Sequence, residues 1–302
     1  MKSHFTICLV AGVLNLAGIS DGLGWGQNGH RVTAELAERH LNEKSRVELR
    51  KILGRESLAE ISTWADEIRS NPEWDFVEPW HYVSIEDDQK WEEVLEAEAK
   101  DEAVNSILEI IPLLEKFLAD PKAESMTLHG GVRKRGSGAG LPAELTKEIG
   151  KREALALYVH FVGDLHQPLH VGRADDAGGN RIGVEWFGEE VSLHKVWDEL
   201  MIDSLKLSYT EFASFLDRVP AEEEKAWTSA SMLDWARESK AVRERVYDFG
   251  PQRSGYFLNV KEPPSLSYQY RADHVDLLRE RLAKGGLRLA AKLNAIFANY
   301  PD

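Results

Sequence analysis

Apolar and charged positions recur at helical spacing along most of the chain. Val32 to Leu53 follows this pattern and stops at Gly54, a residue that favours a helix C-terminus. Leu58 to Ile68 predicts a second, shorter helix. Trp91 to Leu118 predicts a long amphipathic one, kinked at Pro112 and ending before Asp120-Pro121. Leu145 to Leu165 predicts another, stopped by Pro168, and Tyr209 to Leu216, Glu222 to Tyr247 and Val275 to Phe297 complete the set. One strand pair interrupts this pattern: Arg181 to Phe187 and Glu189 to Leu193 flank Gly188, which predicts a hairpin. Ala123 to Leu141, with five glycines around Arg133-Lys134-Arg135, predicts a surface loop, and it lacks the spacing of a phosphate-binding Walker loop. No internal repeat or linker divides the chain. The expected fold is all-α, a single mostly helical domain with a small β-hairpin.

The N-terminus changes the picture. Lys2 precedes an almost entirely apolar stretch from Phe5 to Ala17, and Gly22-Leu23-Gly24 supplies small residues for cleavage before Trp25. Residues 1–24 are therefore expected to be a signal peptide and 25–302 the mature domain, secreted or periplasmic. The apolar run is short for a membrane span, and stable membrane association is not expected. The only cysteine, Cys8, lies in the signal, so the mature chain has neither disulfides nor cysteine metal sites. A formal charge of -14 weighs against nucleic-acid binding by a basic patch. It leaves room for an enzyme whose cleft is made positive by bound cations.

The chemistry concentrates in His160-Phe-Val-Gly-Asp164-Leu-His-Gln-Pro168-Leu-His170. His160 and Asp164, four apart on a predicted helix, project from one face, and Pro168 ends that helix where His170 can turn back. Imidazole and carboxylate ligands suit zinc. His194 and Asp198 repeat the spacing. A single such pair is commonly a solvated surface interaction; two of them with a further histidine are harder to dismiss. Asp66, His81 and His30 are upstream candidates. The α-amino group of Trp25, freed by cleavage, would be a further ligand next to His30.

Trp25-Gly-x-x-Gly-His30, Trp64-Ala-Asp66, Trp80-His-Tyr82, the His160–His170 segment, Gly178-Gly-Asn180 and His194-x-x-Trp-Asp198 resemble, in order, the motifs of the S1/P1 nuclease family, across nearly all of the mature chain. The resemblance implies the helical phospholipase C/P1 nuclease-like fold and three zinc ions. One would be held by Asp66, His81, His160 and Asp164. A second would be held by Trp25 (amino nitrogen and carbonyl oxygen), His30 and the shared Asp164. The third would be held by His170, His194 and Asp198. Three zincs against three aspartates leave about +3 for a phosphodiester. The implied activity is hydrolysis of single-stranded DNA and RNA to 5′-nucleotides, with 3′-nucleotides as further substrates, by a monomer. Asp66 would orient the attacking water, and Arg69 would offset charge on the phosphoryl oxygens. Tyr82 is placed to stack on a base. Ser84 stands where the family often has a base-contacting aspartate, and Asn180 either touches substrate phosphate or shapes its turn.

The lack of a mature cysteine and of any Asn-x-Ser/Thr sequon points to a bacterial member. His166 is expected to be structural or to support ligands. His40, His129 and His274 are expected on the surface, and Trp64, Trp80 and Trp197 as walls of the site. Two other functions compete: a zinc-dependent phospholipase C on the same scaffold, and a non-catalytic exported zinc-binding protein.

Overall fold

The structure, a computed structural model, describes residues 24–100, 104–131, 144–250 and 263–301. Helices α1 (Gln27–Arg39) and α2 (Glu43–Leu53) replace the single expected helix. Asn42 caps α2 by accepting from the Ser45 amide, and this local signal breaks a pattern that is otherwise continuous. Helices α3 (Leu58–Ile61) and α4 (Trp64–Glu67) likewise divide the next expected helix. A 3₁₀ run over Pro72–His81 then leads into strand β1 (Val83–Ser84).

The expected Trp91–Leu118 helix is also two, α5 (Trp91–Glu98) and α6 (Ile107–Ala119), with Ser106 capping the second and Pro112 inside it. The Ala123–Leu141 loop and the start of the next helix are corrected further. Strands β2 (Ser125–Gly131) and β3 (Glu144–Gly150) form an antiparallel ladder with Met126 opposite Ile149. Leu128 and Ile149 point into the core while Thr127 and His129 face solvent, a period-2 pattern too short to distinguish from helix before its partner is known. Arg133, Lys134 and Arg135 lie outside the described residues, as does the expected signal peptide except for Gly24.

Helix α7 (Lys151–Asp164) is the centre of the molecule, with every residue from Ala154 to Asp164 buried. A 3₁₀ turn at Pro168–His170 and strand β4 (Val171–Gly172), parallel to β1, follow it. The expected hairpin forms as β5 (Gly183–Trp186) and β6 (Glu189–Ser192). Next come α8 (Leu193–Lys195), a π-helical turn over Val196–Leu200, α9 (Met201–Asp203) and α10 (Tyr209–Leu216). The expected Glu222–Tyr247 helix divides into α11 (Ala221–Thr228) and α12 (Met232–Val246) at a Ser231/Asp234 capping box. Strand β7 (Ser265–Leu266) joins β5, and α13 (Tyr268–Ala298) closes the fold, starting two turns earlier than its pattern suggested.

The fold is mostly α. One hydrophobic cluster surrounds α6 and α7, and a second lies between α1, α10, α13 and the β5–β6 hairpin. At Gly286 a side chain would meet Leu36 Cβ at 2.9 Å, so glycine there lets α13 approach α1, the helix that carries His30. Among the described residues no helix is long and apolar enough to cross a membrane.

Candidate metal centre

Eight of the sequence-predicted residues come from seven elements and meet beside the C-terminal end of α7. His30 comes from α1, Asp66 from α4 and His81 from the 3₁₀ run. His160 and Asp164 come from α7, His170 from the turn after it and His194 from α8. Asp198 joins them from the π-helical turn. Three groupings have ligand atoms close enough to share a cation: His30, Asp66 and His160; His81, His160 and Asp164; and His170, His194 and Asp198. All of these side chains are buried except Asp66, which is about a quarter exposed.

Four of the five histidines are held by one device. Nδ1 of His81, His160, His170 and His194 lies at 3.2, 2.7, 2.7 and 2.6 Å from the carbonyl oxygens of Glu78, Ser62, His81 and Gly178. A carbonyl only accepts, so each of these Nδ1 atoms carries a proton and each ring turns Nε2 inward, where it can take either a second proton or a cation. Two of these Nε2 atoms face carboxylates. His160 Nε2 is 3.2 Å from Asp164 Oδ2, and His194 Nε2 is 3.0 Å from Asp198 Oδ2. Two acceptors at that distance repel unless a proton or a cation lies between them.

Among the described residues, eight buried side-chain nitrogen and oxygen atoms of this group lack a hydrogen-bond partner: both ring nitrogens of His30, Nε2 of His81, His160 and His194, and one oxygen each of Asp66, Asp164 and Asp198. Buried polar atoms are normally satisfied, so such a concentration fits a divalent cation centre.

Proton affinities express the same frustration. Burial pushes His30 down to about 4 and His81 down to about 3, with the neighbouring His160 adding to the effect. Burial opposes the charge on His160 too, but Asp164 and Asp66 outweigh it and lift this imidazole to about 9. Burial lifts Asp66 to about 6. The Asp164 carboxyl is held well below its usual range, because His160, His170 and His30 overcome its desolvation. A cation with ligands of this type takes the place of the shared protons.

Trp25 is fully buried, with its indole donating to Gly163 O at 2.9 Å. Its backbone nitrogen lies 3.2 Å from Asp164 Oδ1. The preceding Gly24 amide donates to His170 Nε2 at 2.9 Å. A side chain on Gly24 would meet Asp164 Oδ1 at 2.7 Å and His30 Nε2 at 2.9 Å, so in the uncleaved chain this residue sits among the candidate ligands.

Arg69 Nη1 is 3.6 Å from Asp66 Oδ1, with the guanidinium partly exposed at the rim. Tyr82 is half-buried, its hydroxyl 3.3 Å from Glu78 Oε1, and Ser84 is exposed. The Asn180 side chain donates to Ala177 O at 3.1 Å, which ties it to its own turn.

Trp80 and Trp197 are fully buried, their indoles donating to Val104 O and the Tyr270 hydroxyl. His274, expected on the surface, is buried between the carbonyls of Tyr270 and Arg245. His166 faces away from the centre: its Nδ1 donates to Val162 O and its Nε2 accepts from Arg288. Gln167, which the motif contains but whose side chain the residue pattern does not interpret, donates to Asp198 Oδ1 at 2.6 Å. The signal for it was its place between two candidate ligands.

A family model described as S1/P1 Nuclease matches residues 25–298. The chain is 29% identical to Endonuclease 4 of Arabidopsis thaliana over 94% of its own length and 92% of the relative's. It is 26% identical to Nuclease S1 of Aspergillus oryzae over 92% and 93% of the two chains, and 25% identical to Nuclease P1 of Penicillium citrinum over 90% and 97%.

Proposed function

The chain belongs to the S1/P1 nuclease family and is a hydrolase acting on phosphodiester bonds of nucleic acids, and we propose that it is an exported, monomeric, three-zinc enzyme that cleaves single-stranded DNA and RNA to 5′-nucleotides and also accepts 3′-nucleotides. The eight buried nitrogen and oxygen atoms without partners, converging from six elements, carry this reading. In the proposed assignment Asp66, His81, His160 and Asp164 hold one zinc, Trp25, His30 and Asp164 a second, and His170, His194 and Asp198 the third. Bound zinc would acidify a water and neutralise phosphoryl charge.

The chain's own residues supply the rest. Asp66, at the solvent-facing edge, accepts a hydrogen bond from the attacking water and orients it. Arg69, beside it, receives the phosphoryl oxygens. Tyr82 offers a ring to an unstacked base, which a duplex does not present, and Ser84 leaves that base without a carboxylate contact. Asn180 keeps the turn that carries Gly178, whose carbonyl orients His194.

Cleavage before Trp25 removes the Gly24 amide from His170 and turns the Trp25 nitrogen from an amide into an amine ligand. Processing and metal loading are thereby linked, and an extra residue before Trp25 is expected to lower the zinc content. Full zinc content and activity in such a variant would count against the terminal-amine assignment. The test of function is an assay of the processed protein, with metal analysis, on single-stranded DNA, single-stranded RNA, duplex DNA, 3′-AMP and phosphatidylcholine. Turnover of the single strands and 3′-AMP with about three zincs is expected. Preferential hydrolysis of phosphatidylcholine would overturn the proposal in favour of a phospholipase, and bound zinc without turnover in favour of a binding protein.

A further inference from the structure

Gln167 has no part in the ligand assignment, yet its side chain is fully buried between the two halves of the centre. Its Oε1 accepts from the Leu169 amide at 2.5 Å. An amide nitrogen can only donate, so this bond fixes which end of the carboxamide faces which way. The NH₂ group is thereby committed to Asp198 Oδ1, at 2.6 Å, a short charge-assisted contact. Asp198 is left with Oδ2 for other uses, and that oxygen points at His194 Nε2.

The backbone around Gln167 is anchored from behind. The Gln167 amide donates to Asp164 O, and its carbonyl accepts from His170 N. The carbonyls just before it are held by α12 and α13: Ser239 Oγ donates to Leu165 O at 2.7 Å and Arg281 Nε to His166 O at 2.9 Å. Asp198 sits on a π-helical turn, with its carbonyl accepting from the Gly26 amide at 2.7 Å. Gln167 therefore ties a carboxylate on an irregular turn to a clamped segment, across 31 residues of sequence.

We propose that Gln167 is a positioning residue that holds Asp198 by one oxygen, keeps the other turned toward His194, and so sets the cation affinity of the cluster of His170, His194 and Asp198. This rests on the reading that the cluster binds a cation. Glutamate at this position would keep the bond from Leu169 but set a second carboxylate against Asp198. Methionine would keep the volume and lose both bonds.

The experiment is zinc titration of the processed wild type, Gln167→Met and Gln167→Glu at buffered free zinc, with bound zinc counted and melting followed without metal. The expected result is one cation bound 10- to 100-fold more weakly in both variants, the size typical of lost support to a ligand, with the other two unchanged. Equal affinity for all three cations in the variants and the wild type would overturn the proposal. Uniform weakening of all three together with a lower zinc-free melting point would also overturn it, showing a general packing role. If Gln167→Met does not fold, Gln167→Glu, which retains the bond from Leu169, decides alone. A wild type that binds no zinc would refute the underlying reading of the centre instead.

Discussion

The segment from Asp164 to His170 is flanked by buried polar groups on two sides. On one side stand the candidate ligands, with eight buried atoms that lack hydrogen-bond partners. On the other side Glu238 bonds both Arg281 and Arg288, at 2.7–2.9 Å. Arg281 also reaches His166 O and Ser239 Oγ, and Arg288 reaches Trp227 O and His166 Nε2. None of the side-chain atoms of Glu238, Arg281, Arg288 or His166 is left unsatisfied. Histidine, carboxylate and burial occur on both sides, so residue type and depth do not separate a binding centre from a scaffold. The state of the last lone pair does, because a buried donor or acceptor without a partner costs about 1–3 kcal/mol and is kept only where something else fills it.

The largest expected effect breaks the comparison on the ligand side. Chelation should abolish nucleic-acid hydrolysis and destabilise the fold together, because the ligands come from seven elements. A single cation held at a thousandfold excess over its Kd contributes about 4 kcal/mol, and three contribute more. A melting point that does not move on complete zinc removal would contradict this.

On the scaffold side, Glu238→Leu strands two buried guanidiniums, and urea denaturation should show a loss of about 3 kcal/mol or more with zinc content retained. An unchanged midpoint would mean that the network is ornamental.

Acid sharpens the contrast further. Burial opposes the charge on Glu238, but its bonds to Arg288 and Arg281 prevail and hold it down at about 2. A carboxylate lowered on folding stabilises above its unfolded value and loses that contribution as the pH falls. Glu238 should therefore cost the zinc-free protein about 2 kcal/mol, allowing for partial exposure, between about pH 4.5 and 2. The same titration on Glu238→Gln should lack this component; an identical acid profile would remove Glu238 as its source.

The smallest effect concerns substrate. Tyr82→Ala should weaken single-strand binding by about 1 kcal/mol, about a fivefold rise in KM, with kcat little changed. Equal KM values would exclude stacking on this ring.

Much of the site was legible because its residues are grouped in short motifs. His160 and Asp164 share a helix face through their spacing of four, and the two elements Tyr209–Leu216 and Gly183–Ser192 follow directly from apolar periodicity and a turn glycine. The misread stretches have a common cause. Asn42, Ser106 and Ser231 are capping residues inside patterns that look continuous, and at each a local side-chain bond to the backbone starts a new helix. The β2–β3 ladder was hidden because each strand is defined by the other. His274 was misjudged because nothing adjacent in sequence reveals the Arg245 carbonyl that receives it.

The sequence by itself determined the mostly helical architecture, the family and the types of residue available to a cation, since these depend on periodicity and on chemistry within a few positions. Only the tertiary structure decided that His30, His81 and Asp164 meet, that Nδ1 of His81, His160, His170 and His194 is committed to a carbonyl, and that Gln167 rather than His166 turns toward Asp198. Those outcomes depend on which distant backbone groups reach each side chain once water is excluded, and no local pattern encodes that.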